Sequence, residues 1–69
     1  MQKPIEPDQR LMFEYNTLLP KIGLCDVHRL SGQMRIYERF CNEGKVDLAN
    51  KSGEILRQMV HKARMSLLN

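Results

Sequence analysis

The sequence predicts an all-α fold: a short N-terminal helix, then an antiparallel helical hairpin, with the protomer paired to its own copy. Three observations predict it. In Asp26–Glu43, DVHRLSGQMRIYERFCNE, the residues Val27, Leu30, Met34, Tyr37 and Cys41 recur at steps of three and four, which is one stripe of a helix. The run Asp47–Leu68 is strongly amphipathic, with Leu48, Ala49, Ile55, Leu56, Met59, Val60, Ala63 and Leu67 within an arc of roughly 140°. The link between the two runs is about three to five residues, which makes antiparallel neighbours of them.

The elements follow in order within one small helical domain, residues 1–69. Pro4 and Pro7 disfavour helix at the residues before them, so residues 1–6 read as an extended arm. Such an arm can fray, or can pack across a neighbouring subunit through Ile5. Pro7 suits the first position of a helix, with Asp8 and Gln9 in its first turn. Leu11, Tyr15, Leu18 and Leu19 then share one side, widened by Met12 and Phe13, and the expected helix covers 7–18. Pro20 blocks its continuation. The connector PKIGLC turns at Gly23 and is expected to tuck Ile22 and Leu24 inward.

The central helix is expected over 26–43, capped by Asp26 and closed by Asn42-Glu43-Gly44, with Gly44 in the left-handed conformation. Ser31-Gly32 inside it costs about 1 kcal/mol relative to alanine. Either the helix tolerates this, or the bare Gly32 lets another helix approach. The last helix is expected over 47–68, capped by Asp47, with Ser52-Gly53 as a soft spot where it bends or starts late. Glu54, Arg57, His61 and Arg64 share its polar side.

Sixty-nine residues make one domain at most, and burial at that size only roughly offsets ordering entropy. Two cysteines are too few for a disulfide framework, MQKPIEPDQR has no apolar run to form a signal peptide, and no window is long enough to span a membrane. A cytoplasmic location with reduced thiols follows, and oligomerisation is the expected source of the missing stability. The net charge of +3 is spread along the chain without a block of like charges. Few aromatics and no Trp argue against a base-stacking platform.

No catalytic set is present. Cys25, His28, Cys41 and His61 are the only soft-metal ligand types, and their spacing matches no zinc motif. A Cys25/His28 nucleophile pair lacks an orienting group and a cleft. GxGxxG, GxxxxGK, HExxH and GxSxG are all absent. Glu38 and Glu43 stand at helical spacing from Arg35 and Arg39 and read as surface ion pairs. The chain is therefore expected to be no enzyme and to need neither cofactor nor metal.

Two binding readings are left. Arg57, His61 and Arg64, flanked by Lys51 and Lys62, form the best nucleic-acid feature and make a small basic DNA-binding regulator the second reading. Against it, the last helix opens with Asp47, an acid facing phosphate, and the preceding helix is about twice the usual helix-turn-helix length. The first reading is protein binding. Ile36 and Phe40 lie one turn apart and roughly 90 to 130° from the centre of the Val27–Cys41 stripe, so the central helix has two sides that leave water. A hairpin buries only one, and the other is left either for the short first helix, which could cover Ile36 and Phe40, or for a second interface. Ile36, Tyr37, Arg39 and Phe40 are the expected partner-binding residues, with Arg57, His61 and Arg64 as a charged rim. Val27, Leu30, Met34, Cys41, Leu56, Met59, Val60 and Ala63 form the expected core or dimer seam.

With its hairpin, Asp26–Glu43 and Asp47–Leu68, the chain resembles in length, charge and plan the small helical proteins that bacteriophages encode to disable host regulators, in particular quorum-sensing anti-activators. The resemblance covers the whole chain in outline and rests on no diagnostic motif. It implies a homodimer in the host cytoplasm that binds a host transcriptional activator and blocks its DNA binding.

Overall fold

The computed structural model describes residues 3–68. Among them are three α-helices, α1 (Gln9–Leu18), α2 (Leu24–Asn42) and α3 (Val46–Leu67), and no strand. Helices α2 and α3 form the antiparallel hairpin, and α1 packs against it. The rod measures 46 × 18 × 16 Å, too slender for either hairpin helix to be covered all round.

The core is the predicted stripe meeting its counterpart. Leu30, Met34, Tyr37 and Cys41 of α2 bury against Ala49, Leu56 and Val60 of α3, and Leu11, Tyr15 and Leu18 of α1 close one side. Met59 and Ala63 are half-buried against this core, and Val27 is half-buried at the start of α2. The residues expected at a core or dimer seam therefore pack within one chain.

Helix starts differ from the expected ones for local reasons. α1 begins at Gln9 rather than Pro7, because Asp8 is its cap: Oδ1 accepts from the amides of Arg10 at 3.0 Å and Leu11 at 3.4 Å. α2 begins at Leu24, not Asp26. Extended Gly23 stands at the cap position, its carbonyl accepts the Val27 amide at 3.0 Å, and Asp26 lies inside the first turn. α3 begins at Val46 after Lys45, so Asp47 also sits inside its first turn, and Leu68 is the C-terminal cap rather than the last helical residue. Neither aspartate caps; both place a carboxylate near the positive end of a helix dipole.

The turn between α2 and α3 is a complete Schellman motif. Gly44 has φ of 70°, its amide donates to the Cys41 carbonyl at 3.1 Å, and the Lys45 amide donates to the Phe40 carbonyl at 3.1 Å. Glu43 is the cap just beyond the helix. The Cys41 carbonyl also accepts the Ile5 amide at 2.7 Å, and Ile5 packs on the core. The arm thus lies against its own chain at Ile5; Met1 and Gln2 of the expected arm fall outside the described residues. In the connector, Ile22 is half-buried as expected, but Leu24, the first residue of α2, is exposed.

Of the two readings of Gly32, tolerance holds, and the close approach falls instead at Gly53, where a bend was expected. Gly32 is exposed, and a Cβ built there meets nothing within 4 Å. Ser31 beside it serves α1, taking the Tyr15 hydroxyl at 3.2 Å. Gly53 is the close approach: a Cβ there would stand 2.7 Å from Cε1 of Tyr37. α3 runs unbroken through Ser52-Gly53, both buried against α2, although the Ser52 hydroxyl bonds back to the Leu48 carbonyl at 2.7 Å.

Candidate functional site

Helix α3 has three sides: one in the core, one towards α1 and one open. The α1 side carries Arg57, His61 and Arg64, which share a shallow groove with Asp8, Arg10, Leu11 and Glu14 of α1. Two of these cations are engaged. Arg57 Nη2 donates to Asp8 Oδ2 at 2.8 Å, and Arg64 Nη1 is 3.7 Å from Glu14 Oε1, an oxygen that Arg10 also approaches at 3.7 Å. The amide of Asp8 donates to the Tyr37 hydroxyl at 2.9 Å. Asp8 thereby caps α1, holds α3 and touches α2. The Leu11 amide, with help from the Arg10 amide and Arg57, holds its carboxyl below the ordinary value. Burial pushes the Tyr37 phenol up.

The open side lies on the other flank of the hairpin. Ile36 and Phe40 of α2, with Leu48, Lys51 and Ile55 of α3, line a groove that no residue of α1 enters. Ile36, Leu48 and Ile55 are 47%, 43% and 44% exposed, whereas Phe40 is half-buried against the core. Gln33 spans the two helices there, its Nε2 donating to the Ser52 carbonyl at 3.0 Å. The same flank continues towards the open end of the hairpin as a second groove lined by Asp26, Arg29, Leu30, Met59, Lys62 and Ala63.

The residues expected at the partner surface are thus divided. Ile36 and the outer part of Phe40 lie on the open side. Tyr37 does not: it is buried, because its ring fills the space opened by Gly53 and its hydroxyl serves Asp8. Arg39 is exposed and paired with Glu43 at 3.2 Å, one turn on. Arg57, His61 and Arg64 cannot rim the Ile36 patch. At about 100° per residue they lie roughly 120 to 180° around α3 from Leu48 and Ile55. Leu48 and Ile55, which share the apolar arc of the last helix, stand exposed beside Ile36 and not in the core. The signal was available: that arc is wider than one facing helix covers.

Among the described residues, no three of His, Cys, Asp and Glu stand close enough to share a metal ion. Cys25 is exposed, Cys41 is buried and both are free. No helix is long and apolar enough to cross a membrane. No protein-family model, curated protein or solved structure matches the chain.

Proposed function

We propose that this chain is a non-enzymatic protein-binding module that inhibits or modulates a protein partner through the open flank of its hairpin. The observation that carries the reading is that Ile36, Leu48 and Ile55, with the edge of Phe40, are left in water together in one groove between α2 and α3, whereas Phe13 is exposed on α1, outside that groove. Apolar residues gathered on one face mark interaction sites, whereas singly scattered ones do not. By the resemblance to phage-encoded anti-activators, the partner is a host transcriptional activator and the module a homodimer.

The DNA-binding reading draws less support, because Arg57 and Arg64 already face Asp8 and Glu14. Titration with random duplex at low salt tests it; binding that falls steeply with salt would revive it.

The test of the main reading is affinity capture from host lysate by the wild type and by Ile36→Glu and Ile55→Glu, each checked for helicity. A protein retained by the wild type and lost from both variants supports the reading. Retention unchanged by either substitution overturns it.

A further inference from the structure

The open flank is not only apolar; it is bordered by cations of one sign. Lys51 lines the Ile36 groove, and Arg29 and Lys62 line its continuation, against a single acid, Asp26. On α3, Lys51 and Lys62 fall within about 40° of Ile55 around the helix, and on α2, Arg29 falls within about 20° of Ile36. Among the described residues, Arg29, Lys51 and Lys62 enter no ion pair, while Arg10, Arg39, Lys45, Arg57 and Arg64 do. Lys3, Lys21 and Arg35 also enter no ion pair among the described residues but line neither groove, so it is position along the apolar strip that sets Arg29, Lys51 and Lys62 apart.

From this we infer that the partner element is an acidic amphipathic helix, laid lengthwise between α2 and α3 with its apolar side on Ile36, Leu48, Ile55 and Met59 and its carboxylates on Lys51, Lys62 and Arg29. The inference rests on the open flank being the protein-binding face and adds the chemistry of what binds. Leu48 to Met59 spans about 16 Å of α3, which three turns of a docked helix cover. Apolar anchors at helical spacing in a groove between two helices are the usual form of such docking. Charge selects this occupant over a second copy of the chain. Two identical flanks would bring three cations and one acid against the same set, and like charges brought together discriminate against that pairing.

The test uses the full chain and two synthetic helical peptides of about 18 residues. They carry identical leucines at i, i+3, i+4 and i+7, flanked by glutamates in one peptide and by lysines in the other. Fluorescence anisotropy at low salt is expected to show the acidic peptide binding at least about tenfold more tightly, with the gap narrowing as salt screens it. The double variant Lys51→Glu/Lys62→Glu, altered only at exposed positions, is expected to invert the preference. Equal affinities, or an unchanged preference in the double variant, overturn the inference. So does a dimer in sedimentation velocity that Ile55→Glu dissociates, which assigns the flank to a second copy. Capture by phosphatidylglycerol vesicles without capture of either peptide overturns it likewise. The two levels separate: dependence on Ile36 without charge preference removes the inference alone, whereas no dependence on Ile36 in either assay removes the reading beneath it.

Discussion

Replacing each of the two helix-interior glycines by alanine is expected to move stability in opposite directions. Gly53→Ala puts a methyl 2.7 Å from Cε1, 3.1 Å from Cδ1 and 3.4 Å from Cζ of Tyr37. Carbon–carbon contact is comfortable at about 3.5 to 4.0 Å, so the ring must retreat by about 1 Å. It is not free to do so, because its hydroxyl is held by the Asp8 amide at 2.9 Å and its other face is in the core. Overpacking of this kind costs about 1 to 3 kcal/mol, while alanine in place of glycine returns about 1 kcal/mol of helix propensity. The net expectation is a loss of about 1 kcal/mol, or about 4 to 8 °C in Tm at this size. Gly32→Ala meets open space and keeps only the propensity gain, about 1 kcal/mol of added stability. Urea unfolding followed by circular dichroism reads both. Repeating Gly53→Ala in a Tyr37→Leu background should turn its effect from loss to gain, since the ring is gone. Stabilisation by Gly53→Ala in the wild-type background would refute the close approach.

Two further expectations concern the α1 clamp and the thiols. The carboxyl of Asp8 is depressed chiefly by the Leu11 amide, so its contribution is complete above the unfolded value of about 4 and is lost as pH falls through the lower folded value. Asp8→Asn keeps a capping side chain but removes that titration, so its unfolding midpoint should fall less steeply than the wild type's below pH about 4; parallel slopes would contradict the clamp. A thiol reagent should modify Cys25 at once and Cys41 only as fast as the helices open, since Cys41 is 1% exposed. Two equally fast thiols would mean that α2 does not pack as described.

What was legible in the sequence was periodic. Steps of three and four over Val27–Cys41 located α2 and its buried stripe, and the same spacing located α3, because burial of one helix side imposes that repeat. Gly44 announced its own turn, since few residues other than glycine take a φ of 70°. What was not legible depends on residues far apart in the chain. Asp8 reads as one more acid in a first turn until Tyr37 and Arg57 are seen around it. Gly32 and Gly53 look alike locally, and only the Tyr37 ring distinguishes them. Tyr37 is of a type favoured at interfaces and was placed at the surface for that reason; its position on the core stripe was the better guide. The pairing of Arg57 and Arg64 is not legible either, because their acids, Asp8 and Glu14, lie in and just before α1, more than forty residues away.

Protein binding through the open flank requires that Ile36 lie on a surface the chain leaves for another molecule. The direct measurement is the unfolding free energy of Ile36→Glu by urea, at two protein concentrations, beside its capture of partner. The expected result is a change within about 0.5 kcal/mol, as for an exposed site, together with lost capture. A concentration-independent loss of about 2 kcal/mol or more, the penalty of a charge forced into a protein interior, would show that the chain covers Ile36 itself and would contradict the account.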